Sequence, residues 1–355
     1  MTPIDTYPEE SKQSRLNIRA QGLILSIGFL ILAAKFVAFF ITHSNAVLTD
    51  ALESIVNVVA GALGLFSLVL SSKPSDSNHP YGHGKVEFIS AAVEGAMIFI
   101  AGGIIIIKSI YNLIYPVELH SLNIGLYIVI AGGLINYIMG IYAARIGQKN
   151  DSAALMASGA HLKSDAYSTL GLIVGLVLII LTGRFWLDSL VALFFGLIIV
   201  VTGIRILRSS LSGIMDEADV KILEKIIGIL NSHRQDEWID IHNMRVIKYG
   251  QQLHIDCHVT LPWYYNVRKA HAEIEEIDEL INRNVSKRVE FFIHVDPCTD
   301  KSCPHCLLKD CPVRMHEFVR KIEWNLKMVM DNKQHNLEKD EKRKDLQPGG
   351  SGSSR

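Results

Sequence analysis

Six long apolar runs separated by polar connections occupy the first part of the chain, at residues 23–42, 47–71, 88–115, 122–144, 153–181 and 187–207. A helix needs roughly 20 apolar residues to cross the hydrocarbon of a bilayer, so these runs predict an α-helical membrane bundle of six transmembrane helices. After Arg208 the pattern is that of a soluble domain. An amphipathic stretch at 220–232 precedes two runs of strand-like alternation, 242–248 and 252–261, then a helical stretch at 267–284 and a strand at 288–295 closed by Pro297. The order α-β-β-α-β predicts an α+β domain with its helices on one face of a sheet. Beyond it, the apolar positions of 315–344 begin with helical spacing and dissolve into charge.

Charge refines this division. The 355 residues carry 35 Lys and Arg against 36 Asp and Glu, and no long basic tract is interleaved with aromatics, which argues against a nucleic-acid partner. Lys12, Arg15, Arg19, Lys73, Lys85, Arg145, Lys149, Arg205 and Arg208 fall on one side of the predicted bundle, and Arg184 is nearly alone on the other. The positive-inside rule then puts both termini in the cytoplasm. The polar stretch 1–21 precedes an apolar run too long for a signal core, so the first helix is expected to be retained. Residues 349–355 read as a flexible linker. The expected domains are 1–21 as an N-terminal segment, 22–208 as the membrane domain, 209–297 as the soluble domain, 298–316 as a Cys-rich segment and 317–355 as a charged tail.

Ionisable side chains at membrane depth cost several kcal/mol, and each is a functional-site candidate by default. The second run carries Asp50, Glu53 and Asn57, three and four residues apart, on one helical face; the fifth carries His161 and Asp165 at i, i+4. Glu53, Asn57, His161 and Asp165 make a mixed N/O donor set that zinc accepts, whereas Asp50 near a helix end reads more readily as a cap. Asn57 alone also suits interhelical hydrogen bonding, and Lys35 and Glu94 read as partners of other buried polar groups. Because an imidazole titrates near pH 6.5, protonation of His161 can compete with metal binding.

Two further clusters lie outside the apolar runs. The connection 76–85 holds Asp76, His79 and His83 among Pro80, Gly82 and Gly84, a polar turn in which Asp76 and His83 can meet around an ion. Cys298, Cys303, Cys306 and Cys311, four of five cysteines, follow the last strand. In a reducing compartment such a group is expected to hold metal, as a structural, regulatory or handover site, with redox sensing the alternative; His305 and His316 are nearby. Cys257 reads as core, and by alternation His254, Asp256 and His258 share the opposite strand face.

The segments Leu48-Thr49-Asp50-Ala51-Leu52-Glu53-Ser54-Ile55-Val56-Asn57, His79-Pro80-Tyr81-Gly82-His83-Gly84-Lys85, His161-Leu162-Lys163-Ser164-Asp165 and Phe292-Ile293-His294-Val295-Asp296-Pro297 together resemble the cation diffusion facilitator family, closest to its bacterial ferrous-iron and zinc efflux branch. The resemblance implies a homodimeric, proton-coupled exporter of divalent metal with a ferredoxin-like cytoplasmic domain. It implies a transport site at Glu53, Asn57, His161 and Asp165, a loop site at Asp76 and His83 with His79 near, and a binuclear cytoplasmic site at His242, His258, His271, His294 and Asp296. This chain departs from the zinc-exporting pattern by having Glu53 followed by Asn57, an amide replacing a carboxylate. Zinc is the expected ion, with iron(II), cobalt(II), nickel(II) and manganese(II) open. A membrane-bound metal sensor and an intramembrane metalloenzyme are the other classes. The sensor leaves His161 and Asp165 unexplained, and the enzyme finds no His-Glu-x-x-His pattern and no nucleophile with a base.

Overall fold

The computed structural model describes residues 8–42, 45–115, 125–184, 186–249, 252–285 and 289–337. The chain divides into two compact units after Met215. The N-terminal unit consists of α1 (Pro8–Thr42), α2 (Asn45–Ser71), α3 (Val86–Ile114), α4 (Gly125–Asn150), α5 (Ala153–Thr182) and α6 (Trp186–Ile214). Among the described residues, α1, α2, α3, α5 and α6 each contain a window long and apolar enough to span a membrane. The fourth predicted run corresponds to α4, although its first residues, 122–124, lie outside the described residues.

Small residues let these helices pack closely, the usual means of association where lipid removes the hydrophobic drive between helices. α3 packs chiefly on α6, and α4 on α5. A Cβ on Gly203 of α6 would lie 2.6 Å from the Phe99 backbone nitrogen of α3, and one on Gly159 of α5 would lie 2.7 Å from the Ala144 nitrogen of α4. Several buried polar side chains pair with one another, as hydrocarbon favours. Lys35 Nζ donates to Ser54 Oγ at 2.8 Å, and Gln21 Nε2 donates to Ser158 Oγ at 3.1 Å. Ser158 Oγ in turn donates to Glu94 Oε1 at 3.0 Å. Lys35 and Glu94 thus take the supporting part expected of them.

The C-terminal unit contains α7 (Val220–Ser232), β1 (Asp240–Tyr249), β2 (Gln252–Leu261), α8 (Val267–Asn284), β3 (Val289–Pro297) and a single helical turn, α9 (Leu326–Val329). Asp219 caps α7 by accepting from Ile222 N at 3.1 Å, and Asn266 caps α8 by accepting from Lys269 N at 2.9 Å. Leu223, Ile226, Ile227 and Leu230 of α7 and Ile277 and Ile281 of α8 bury against Leu253, Ile255, Cys257 and Val259, so alternate residues of β2 point into one core. The sheet order is β1-β2-β3, with β2 and β3 parallel and His258 in register with His294.

One expectation fails. Residues 315–325, where the helical spacing begins, are not helical: among the described residues that follow, helix is found at α9 and again at Leu337. Their backbone is captured by the rest of the unit instead. Val319 N and Arg320 N both donate to Pro304 O, at 2.8 and 3.2 Å, and Trp324 exchanges bonds with Asn231 through its N and O, at 3.2 and 2.7 Å. Arg234 stacks on the Trp324 ring at 3.9 Å and donates to Ile322 O. Trp324, Val329 and Leu337 are buried, so residues 317–337 belong to this unit's fold; residues 338–355 lie outside the described residues.

Candidate metal sites

In the N-terminal unit α2 and α5 meet through Asn57. Its Nδ2 donates to Asp165 Oδ2 at 2.5 Å, and its Oδ1 lies 3.0 Å from His161 Nε2. An amide oxygen only accepts, so in this geometry His161 carries its proton on Nε2. The i, i+4 spacing puts His161 and Asp165 one turn apart on α5, and the amide spans both. His161 is buried, while Asn57 and Asp165 are half-buried. Glu53 sits one turn before Asn57 on α2, but its side chain, like that of Asp50, lies outside the described residues.

The connection between α2 and α3 folds around Asp76. Its Oδ1 accepts from Asn78 N at 2.9 Å and His79 N at 2.7 Å, His79 Nδ1 lies 3.2 Å from the same oxygen, and His83 Nε2 lies 3.4 Å from Oδ2. The His79 backbone N–H, before any other cause, holds the Asp76 carboxyl below its usual range. Gly82 takes a φ of 84°, a left-handed conformation that brings His83 back toward Asp76 at little cost only in glycine.

In the C-terminal unit the parallel register sets His258 beside His294 and Thr260 beside Asp296. Asp296 is the hub: its Oδ2 lies 3.1 Å from His242 Nε2 and 3.0 Å from His258 Nδ1, and its Oδ1 lies 3.0 Å from His294 Nδ1. His271, assigned to this set by resemblance, does not join it within one chain; it is exposed on α8 and pairs with Glu275 at 3.3 Å. Asp76, His79 and His83, and likewise His242, His258 and Asp296, are three-donor groups whose donor atoms all lie within 4.8 Å of one another. Their imidazole and carboxylate donors fit a divalent transition metal.

Sequence reasoning missed two residues here. Asp240, two positions before His242 on the same strand face, lies 3.4 Å from His242 Nδ1, the nitrogen turned away from Asp296. His335 holds the Asp240 carboxylate through its Nδ1 at 2.6 Å and its backbone N at 2.9 Å. Burial alone would raise the Asp240 pKa, but the nearby imidazole of His242 and the hydrogen bonds from His335 outweigh it and hold the carboxyl well below its usual range. Such a partner fixes the tautomer of a histidine that offers its other nitrogen to metal. The Asp-x-His alternation was a signal for Asp240, but nothing in the charged stretch pointed to His335.

The cysteines fall into two groups. All five are free thiols. Cys257 is in the core, where burial pushes its thiol up. Cys298, Cys303, Cys306 and Cys311 line one pocket, without meeting the close spacing of the two histidine groups. His254 pairs with Asp256 at 3.1 Å and Glu290 at 3.4 Å, apart from the Asp296 hub.

Two family models match in tandem: the cation efflux transmembrane domain over residues 23–215, and the cation efflux protein cytoplasmic domain over 218–298. The chain is a cation efflux transporter of the cation diffusion facilitator family. An uncharacterized transporter of Synechocystis sp. is 33% identical over 79% of this chain and 92% of its own length. The manganese efflux system protein MneP of Bacillus subtilis is 28% identical over 79% of this chain and 96% of its own. The cation-efflux pump FieF of Salmonella typhi is 26% identical over 80% and 94%. Membership gives this transporter its architecture, a helical membrane bundle followed by a ferredoxin-like α+β domain, and makes it a carrier of divalent metal cations and not an enzyme.

Proposed function

We propose that this transporter exports zinc from the cytoplasm in exchange for protons, using Glu53, Asn57, His161 and Asp165 as its transport site. The observation that carries this reading is the single Asn57 amide reaching both His161 and Asp165 between α2 and α5. A dication entering there replaces the two hydrogen bonds with bonds to the Asn57 and Asp165 oxygens and an imidazole nitrogen. When His161 is the doubly protonated imidazolium it must lose one ring proton before a nitrogen can ligate the ion, which couples ion binding to proton release. Reprotonation of His161 from the far side expels the ion, and alternating exposure of the site to the two sides completes the exchange.

Asp76, His79 and His83 form the loop site. His242, His258, His294 and Asp296 form the cytoplasmic site, with His271 assigned to it by resemblance. The protein works as a homodimer in the bacterial inner membrane with both termini in the cytoplasm. These assignments rest on the donor geometry, on a family domain whose model carries the cytoplasmic designation, and on the distribution of Lys and Arg.

Manganese is a second reading, favoured by one specific observation. With Asn57 in place of a carboxylate the set holds one imidazole among oxygen donors, one of them a neutral amide, and oxygen-rich sets suit manganese(II). Flux of zinc and manganese(II) into proteoliposomes, measured singly and in competition, decides between them. Zinc flux that excess manganese does not suppress supports the zinc reading, and manganese flux that excess zinc does not suppress, without zinc flux of its own, overturns it.

A further inference from the structure

The match to the cytoplasmic family domain ends at residue 298, yet residues 299–337 are folded onto the C-terminal unit. Their first part contains Cys303, Cys306 and Cys311, and Cys298 stands at the junction. After Cys298, a capping box between Thr299 and Ser302 starts a tight 3-10 turn, Asp300–His305, which presents Cys303 and delivers the chain to Cys306. Cys298, Cys303, Cys306 and Cys311 then line a single pocket with Trp263 and Met315.

A backbone donor is aimed at one of these sulfurs. Met315 N lies 3.5 Å from Cys303 Sγ. Arg314 closes the loop by donating to the carbonyls of Cys303 at 2.9 Å, Cys306 at 3.1 Å and Leu308, bringing a fixed positive charge beside the thiols. N–H donors and a cation around convergent cysteines offset the negative charge of bound thiolates. An apolar core cysteine has no use for either, and Cys257 in the same unit shows the contrast of a thiol enclosed by core residues.

We propose that Cys298, Cys303, Cys306 and Cys311 bind one thiophilic divalent ion, zinc by chemical class, as a closed structural site that fastens residues 299–337 to the domain. The site is separate from the transport, loop and Asp296 sites and carries no cargo. Four sulfurs at about 2.3 Å from zinc stand about 3.8 Å from one another, so loading draws the side chains of one pocket together. The ion thereby secures the segment that continues through Trp324 to His335, whose imidazole holds Asp240.

The test uses the full-length protein in detergent under reducing conditions, loaded with cobalt(II) in place of zinc. Wild type, Asp165→Ala and His242→Ala should all show the intense near-ultraviolet thiolate-to-cobalt band, and Cys303→Ser/Cys306→Ser should lose it together with one equivalent of zinc per chain. Since that double variant can misfold, wild type is also alkylated with and without zinc and mapped by mass spectrometry. Zinc should slow alkylation of these four thiols at least tenfold, and a chelator should restore it. The proposal is overturned by a cobalt spectrum without the thiolate band, by alkylation that zinc leaves unchanged, or by disulfides among the four in protein extracted directly into alkylating buffer.

Discussion

Asn57 donates its Nδ2 hydrogen to Asp165 Oδ2 at 2.5 Å, joining α2 to α5 across 108 positions of sequence. The amide can do this because it carries both a donor and an acceptor, and its Oδ1 is left for His161 Nε2. A carboxylate in its place would lose the donor and meet Asp165 as a like charge. In the ion-free state that pair repels, and a bound dication relieves the repulsion. Asn57→Asp is therefore expected to bind the transported ion roughly tenfold more tightly, about 1.4 kcal/mol, and to release it more slowly. Titration calorimetry and the concentration dependence of flux measure both effects, and an unchanged affinity contradicts this account of the amide.

The closeness of α3 and α6 makes a second expectation. Gly203 faces the Phe99 backbone at distances no side chain tolerates. Gly203→Val should push the helices apart, lowering stability by about 1–3 kcal/mol and reducing the yield of monodisperse protein in detergent. Gly103, whose Cβ position is open, should accept the same change with little effect.

His335 should matter to a site it does not touch directly. Removing its imidazole leaves the buried Asp240 carboxylate with fewer donors and His242 less firmly oriented. His335→Ala is expected to cost about 1–3 kcal/mol of stability and to weaken metal binding at the Asp296 hub about tenfold. Thermal melts with and without metal separate the two losses.

Asp219 gives the C-terminal unit a pH dependence of known sign. Burial alone would raise its pKa, but the hydrogen bond from Lys248 and the α7 N–H groups prevail and lower it. A carboxylate lowered on folding adds stability above its unfolded pKa, about 4, and loses that contribution as pH falls through the folded value. Asp219→Ala should destabilise the unit by about 1 kcal/mol at neutral pH. The difference from wild type should shrink in melts taken below about pH 4.

The membrane helices were legible because lipid requires long uninterrupted apolar runs, and His161 with Asp165 stood out because charge at that depth is costly. Alternation along β2 placed Cys257 inward and His258 outward, as the structure has them. Local pattern could not show what distant segments supply. Asn243 adopts a φ of 52° in the middle of β1 and donates its N–H to Asp331 O at 2.6 Å. That irregularity lets Ile241 and Met244, of opposite parity, both reach the core while Asp240 and His242 share the other face. A strand read as regular alternation hides this shift. Residues 315–322 likewise carry helical spacing, but Pro304 O and Arg234 hold them in a non-helical course, an outcome set by tertiary contacts.

In the proposed exchange a dication crosses between α2 and α5 as His161 gives up and regains a proton. The most direct measurement is zinc and manganese(II) flux in proteoliposomes under an imposed pH gradient, for wild type and Asp165→Ala. Gradient-driven flux that falls at least a hundredfold in the variant, from protein of unchanged helical content, is the predicted result. Flux that ignores the pH gradient, or that persists in Asp165→Ala, would contradict it.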